Sequence, residues 1–441
     1  MKKLATSLKK HATTLRKHAM LLTCLFLTGC QAITFSIDDL LNAPNIADEQ
    51  SAIYQALIES AGRGIALEYP RNGDYRSAFV LYDIDGDGED ETLAFYSVSS
   101  VSESNVKISV LDRGIDGRWR SQYELAGAGS SVERVLFSGT DMVVGYSAQD
   151  YEENAMRMYR YSDGILDPIH EGTYSVLEKA DLDGCGKQET AIVRRSGLGI
   201  EVEVLKAAAD GGYTVYALQL EENASAISAS VTGDYDGKKA MYLDISTESG
   251  GLLTEIFYLS DSEITCPTAL NRLTAMTQRP AGYQSRDYDG DGIVEIPYLQ
   301  PFTGYESAAW GEGEYMTNWF TLTDDGMAFE LKSLSYTNLR DGYILTIPNR
   351  WLNMVTVSRD QGTGEVTFMS YDQTGENPIS EPIVSFASAD SSGGGAYESA
   401  GYTVLYETDF KTFYVKTVAK EGEPLILTMD EIRDNFHIIQ Q

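Results

Sequence analysis

Four short stretches rich in aspartate and glycine recur along the chain, and their spacing restricts the fold more than any other feature. They are Asp83-Ile84-Asp85-Gly86-Asp87-Gly88-Glu89-Asp90-Glu91, Asp181-Leu182-Asp183-Gly184-Cys185-Gly186-Lys187-Gln188-Glu189, Asp234-Tyr235-Asp236-Gly237, and Asp287-Tyr288-Asp289-Gly290-Asp291-Gly292-Ile293-Val294-Glu295. Their first aspartates lie 98, 53 and 53 residues apart, a period of about fifty with one interval doubled. Midway through the doubled interval, Val135-Leu136-Phe137 and Met142-Val143-Val144 supply the same apolar flanks without an acidic loop. A β-rich run follows each loop, such as Thr92–Tyr96, Thr190–Val193 or Met241–Ile245. Further strand-like runs separated by Asp116-Gly117 or Asp210-Gly211-Gly212 complete each period. About four strands per period form a sheet too small to bury both faces alone, so neighbouring units must pack on one another, and radial closure is the usual solution. Five periods are visible between Tyr75 and Tyr336. The expectation is a mainly β protein, a β-propeller of five to seven blades.

Helical signals are confined to the flanks. Asp48 to Ala61 carries Ile53, Leu57 and Ala61 at helical spacing, which predicts a short N-terminal helix on the rim of the repeats. Thr428-Met429-Asp430-Glu431 reads as a capping box, with Met429, Ile432 and Phe436 on one inward stripe. Beyond Asn338 the strands lose their acidic loops, and Ser391-Ser392-Gly393-Gly394-Gly395 marks a flexible excursion. The expected domains are a signal segment over 1–29, a tether over 30–46, a helix plus repeats over 47–337, and a small C-terminal α+β domain over 338–441.

Calcium takes about six to eight oxygens in a pliable cage, and alternating carboxylates in a tight loop supply them. In the first loop Asp83, Asp85, Asp87 and Glu91 stand at positions 1, 3, 5 and 9, Gly88 permits the sharp turn, and the Glu89 carbonyl turns inward. Asp287, Asp289, Asp291, the Ile293 carbonyl and Glu295 repeat that set. The Asp181 loop has Cys185 at position 5 and keeps Asp181, Asp183, the Lys187 carbonyl and Glu189, which makes it a partial candidate. The Asp234 loop is shortened and followed by Lys238 and Lys239, whose ammoniums can neutralise it without a metal. The start of the full loops resembles an EF-hand, but the last carboxylate falls at position 9 and the flanks are β-rich. The arrangement is similar to the calcium loops of FG-GAP and VCBS-like repeats in integrin-type propellers, over residues 75–336, although the Phe-Gly and Gly-Ala-Pro elements are missing from the expected places. That resemblance implies a propeller with structural Ca2+ locking its hairpins.

The first nineteen residues carry six lysines and arginines and no acid, and Met20 to Leu27 is apolar. This run is too short for the roughly 20 apolar residues of a bilayer span, and it ends in Leu27-Thr28-Gly29-Cys30. The segment resembles a bacterial lipoprotein signal, which implies cleavage before Cys30 and lipidation of its thiol. The expected location is the cell envelope, anchored to the membrane through that lipid and facing outward. Loss of the segment removes six bases and no acids, so the formal charge falls from −32 to −38. A field of that sign repels nucleic acid. Cys185 and Cys266 are the remaining thiols, and the sequence leaves their pairing open.

Motifs for catalysis are wanting. Beyond the signal segment the histidines are His170, expected in a loop, and His437, expected on the last helix, too dispersed for a zinc site or a His-based triad. Cys185 sits among carboxylates that raise its pKa, the wrong direction for a nucleophile. Tyr305, Trp310, Tyr315 and Trp319 fit strand-face packing better than a sugar- or peptide-binding surface. The leading expectation is a non-catalytic binding or scaffold module for a protein or glycan partner. The rival is an exported hydrolase or lyase acting on polysaccharide through carboxylates.

Overall fold

Three of the four acidic loops lead into strands with long buried runs, while the Asp287 loop leads into Ile296–Pro301, of which only the first two residues are buried. Glu91–Val98, Glu189–Ser196 and Lys238–Thr247 each bury five or six consecutive residues. Continuous burial means that both faces of the strand are covered, which is why Leu93–Tyr96, Ala191–Val193 and Ala240–Leu243 within them read as apolar runs without alternation. The outer strands Trp119–Ala126 and Tyr213–Leu220 instead alternate more and less buried residues along most of their length and leave one face in solvent.

The computed structural model describes residues 44–98, 106–147, 153–197, 199–220, 224–308, 313–372, 379–391, 395–418 and 424–439. The signal segment, Cys30 and most of the expected tether lie outside these residues. The described part is mainly β, 55% strand and 10% helix, and its strands form six antiparallel sheets. No helix among the described residues is long and apolar enough to cross a membrane. The chain divides into two compact units: residues up to Gly127 with Tyr161–Asp167, and Ala128–Arg160 with Pro168–Gln441.

In the first unit a helix, Pro44–Ala61, precedes a sheet ordered Ile65–Leu67, Glu91–Val98, Lys107–Arg113, Trp119–Ala126, with Phe79–Tyr82 also paired to Glu91–Val98. The helix starts four residues before its expected beginning. Ile53, Ala56 and Leu57, one turn apart on one face, bury themselves against Ala94, Tyr96, Leu111 and Trp119 of that sheet.

In the second unit the sheets follow one another as meanders. The first is Ser131–Ser138, Asp141–Ser147, Asn154–Ser162, Ile165–Tyr174, built on the repeat that lacks an acidic loop, with its last hairpin tip Tyr161–Asp167 counted in the first unit. Next come Val176–Ala180, Glu189–Ser196, Gly199–Ala207, Tyr213–Leu220, and then Ala224–Tyr235, Lys238–Thr247, Gly251–Ser260, Glu263–Thr265 with Arg279–Pro280 at one side. A sheet of Ile296–Pro301, Tyr315–Leu322, Phe329–Asn338, Tyr343–Thr346 and Phe436–Ile438 precedes the last, Val355–Arg359, Val366–Tyr371, Ile379–Asp390, Lys411–Thr417, Thr403–Glu407. Successive sheets share apolar cores. Val143 and Met158 meet Leu177 and Ile192; Val193 and Val202 meet Leu243 and Phe257; Tyr242 and Ile256 meet Ile296 and Leu322.

The boundary expected at 337/338 runs through a continuous core, because Phe302, Met316 and Tyr336 pack with Val357, Phe368 and Phe386. The last strand, Phe436–Ile438, returns to pair with Tyr343–Thr346. His437 therefore lies on a strand and not on the helix, which spans only Met429–Asp434; Thr428 and Glu431 do form its capping box. His170 likewise sits within the strand Ile165–Tyr174 and not in a loop, since the sheet extends through Pro168. Part of the Gly/Ser stretch lies outside the described residues, and a short helix, Gly395–Ser399, starts at its last glycine. Cys185 is exposed and Cys266 buried, both as free thiols.

Truncating Leu57 to Ala opens a cavity against Trp119 and is expected to cost about 2–5 kcal/mol. The exposed Gln55→Ala change on the same helix is expected to stay within about 0.5 kcal/mol. Urea titration followed by tryptophan emission measures both.

Candidate metal centres

The first acidic loop joins two antiparallel strands, Phe79–Tyr82 and Glu91–Val98, so it is a hairpin tip and not a helix-flanked loop. Gly86 and Gly88 adopt φ of 78° and 93°, values that side chains disfavour, and this lets the chain coil around its own carboxylates. Asp83 accepts from the Gly86 N–H at 2.8 Å and the Gly88 N–H at 3.1 Å. Asp85 accepts from the Asp87 N–H at 3.1 Å, and Asp87 from the Glu89 N–H at 2.9 Å. Glu91 reaches back across the hairpin to the Ile84 N–H at 3.0 Å. Oxygens of Asp83, Asp85 and Glu91 then lie within 4.8 Å of one another. Asp87 and Glu89 stand outside that trio. Glu91 is 2% exposed, and burial pushes its pKa up to about 7 although the Ile84 N–H opposes the shift. No ion pair among the described residues brings a lysine or arginine to this loop.

The Asp287 loop has the same frame. Asp287 accepts from the N–H groups of Gly290 at 2.7 Å and Gly292 at 2.8 Å, Asp291 from Ile293 at 2.9 Å, and Glu295 from Tyr288 at 3.2 Å. Asp287, Asp289 and Asp291 form the close trio, and Arg286 bridges to Glu295 to close the hairpin. The electrostatics differ. The Lys332 ammonium lies 3.2 Å from Asp289, 2.7 Å from Asp291 and 2.5 Å from Glu295. Glu295 is fully buried, and desolvation raises its pKa to about 7 against the pull of Lys332. Tyr288 fixes the loop to two neighbouring strands by bonding Ser333, the residue after Lys332, and stacking on Trp319 at 4.9 Å.

In the Asp181 loop, Asp181, Asp183 and Cys185 form the trio, and Glu189 accepts from the Leu182 N–H at 2.9 Å. One oxygen of Asp181 is buried without a partner. Lys206 pairs with Asp183; burial favours the neutral acid, but this ammonium and the Cys185 groups outweigh it and hold the carboxyl down to about 2. The Cys185 thiol is pushed up by its hydrogen bond to Asp183, which keeps it protonated. The Asp234 loop is a two-residue turn with Asp236 and Gly237 at φ of 44° and 75°, the geometry an Asp-Gly hairpin favours. Lys239 pairs with Asp234 at 2.5 Å and Lys238 with Asp236 at 3.3 Å. The loops of the second unit touch in sequence: the Lys239 N–H donates to the Asp181 carbonyl at 2.8 Å, and the Asp234 N–H to the Gly292 carbonyl at 2.7 Å.

The donor sets fit calcium unevenly. The Asp83 loop presents hard oxygens alone, with a buried carboxylate that desolvation disfavours and that nothing cationic within the described chain compensates. The Asp287 and Asp181 loops each already hold a lysine. Sequence patterning missed Lys332 and Lys206 because each comes from a different strand, and no local motif marks a lysine 37 residues beyond Glu295. The return bond from the ninth-position glutamate to the second-position N–H, shared by Glu91, Glu189 and Glu295, was also invisible before pairing was known.

The remaining candidates serve packing and pairing. Trp319 is 1% exposed and donates to Ser335, Tyr305 bonds the Val357 carbonyl, Tyr315 is half-buried, and Trp310 lies outside the described residues. His170 pairs with Glu203 at 3.0 Å, and Glu203 is shared with Arg194.

No family model matches the chain, and no curated protein matches it. Among solved structures, a functionally unknown protein from Desulfotomaculum acetoxidans DSM 771 aligns with 69% of this chain and 95% of its own length, at 12% identity and a TM-score of 0.28.

Because Glu91 carries its burial without a cation among the described residues, E91Q is expected to melt at or above the wild-type temperature in EGTA at pH 8. It is expected to gain less than wild type from calcium. Paired thermal melts with and without millimolar calcium measure both effects.

Proposed function

We propose that this chain is an exported, lipid-anchored β-propeller that serves as a calcium-stabilised binding or scaffold module. The observation that carries the calcium half of the reading is the Asp83 loop: three carboxylates within 4.8 Å of one another, one of them buried, with no ammonium among the described residues to offset them. Such a loop is self-repelling when empty and becomes cohesive around a divalent ion. Its role in this reading is structural, since the ion locks a hairpin at the start of the first sheet. An extracellular module of this type needs only an affinity of about 10⁻⁴–10⁻³ M.

The propeller half is supported by the repeat of about fifty residues and by the serial packing of four- and five-stranded meanders within the second unit. The anchoring half rests on the basic, apolar and Leu27-Thr28-Gly29-Cys30 sequence at the start of the chain, with Cys30 as the lipidated residue. A membrane-held, strongly acidic and rigid body is suited to presenting a rim to a protein or glycan partner and unsuited to nucleic acid. The two histidines are dispersed, His170 against Glu203 and His437 against Tyr288, and this favours binding over turnover by a His-based site.

Replacing Asp83, Asp85 and Asp87 together with Ala is expected to lower the melting temperature in calcium by several degrees and to change it little in EGTA. Calorimetric titration and thermal melting of the purified protein test this. An equal loss in both conditions would show that these side chains stabilise the hairpin without a metal.

A further inference from the structure

We propose that Lys332 is a tethered counter-ion whose ammonium holds the cation position of the Asp287 loop and excludes calcium from it. The inference rests on the calcium reading above, and it separates two loops that their sequences make equivalent.

Backbone geometry aims this side chain. Along the pair of strands Tyr315–Leu322 and Phe329–Asn338, Trp319 pairs with Ser333 and Phe320 with Leu331, so Lys332 is the extra residue of a β-bulge. A bulge turns its unpaired residue out of the regular alternation. Here it sends Nζ to within 3.3 Å of three carboxylates that belong to a different hairpin. The next residue, Ser333, bonds the Tyr288 hydroxyl, so the loop and the bulge are held together beside the lysine.

The oxygens that Lys332 engages on Asp289, Asp291 and Glu295 belong to the set a calcium ion would use. Two cations cannot share one cage of this size, because their mutual repulsion at about 4 Å in a partly buried site is several-fold larger than in water. Lys332 is carried by the chain and needs no binding step, so its local concentration exceeds that of millimolar calcium. Fully buried Glu295 gains a permanent partner, whereas Glu91 of the Asp83 loop has none within the described residues. One loop thus carries its cation in the chain, and the other takes it from solution.

Equilibrium dialysis of the full chain against 1 mM calcium, counting bound ions per chain, tests the assignment with K332M, K332Q, K332R and the triple variant K332M/D287N/D289N. K332M is expected to take up one ion more than wild type, K332R no more than wild type, and the triple variant to lose the extra ion. In EGTA, K332M is expected to melt below wild type and to regain that loss in calcium. An ion count for K332M equal to wild type overturns the proposal; if K332M does not fold, the K332Q count decides in the same way. Wild type holding an ion that the Asp83 substitutions remove, with K332M adding none, sinks the lysine assignment and leaves the calcium reading standing. Wild type holding none while K332M gains one does the reverse.

Discussion

Carboxylates packed into a nine-residue loop repel one another, and every acidic hairpin of this chain is organised around relieving that repulsion. Backbone N–H groups take the first share. In all three nine-residue loops they bond the aspartates at positions 1 and 3 or 5, and the final glutamate folds back onto the second residue. Hydrogen bonds fix the oxygens in place without cancelling their charge. A cation must finish the task. Lys332, Lys206, Lys238 and Lys239 do so in three of the four loops; no ion pair among the described residues does so in the Asp83 loop, where we propose that a mobile divalent ion takes their place.

The hairpins matter to the rest of the fold because three of the four open into an interior strand of their sheets, while the Asp287 hairpin opens into the edge strand Ile296–Pro301. Glu91, Glu189 and Glu295 are both the last residue of their loops and, at 2%, 2% and 0% exposure, part of the interior. Loosening the Asp83 or Asp181 loop therefore exposes the beginning of a strand that is buried on both faces. In the second unit the loops also touch one another through Asp181–Lys239 and Gly292–Asp234 backbone bonds, which ties successive sheets at the same end.

Much of this was legible in the sequence. The period, the β-class, the turn at Asp236-Gly237 and the capping box at Thr428–Glu431 are local patterns, and local patterns survive folding. What failed was long-range. Phe436–Ile438 looked helical because it continues an apolar stripe, yet it pairs with Tyr343–Thr346 some ninety residues earlier. His170 looked like a loop residue because Pro168 precedes it, yet an outer strand tolerates that proline. A separate C-terminal domain was inferred from the loss of acidic loops, a feature of the surface, while the apolar core runs on past it. For the same reason the Asp287 loop looked identical to the Asp83 loop, since the bulge that delivers Lys332 is a property of strand pairing.

The central claim is that the Asp83 hairpin coordinates a divalent cation from solution. Crystals grown in millimolar calcium, with anomalous differences collected at long wavelength, test it at the atom concerned. The account expects a calcium peak bounded by Asp83, Asp85 and Glu91, and none beside Lys332. A well-ordered Asp83 hairpin with only water among those carboxylates would contradict it.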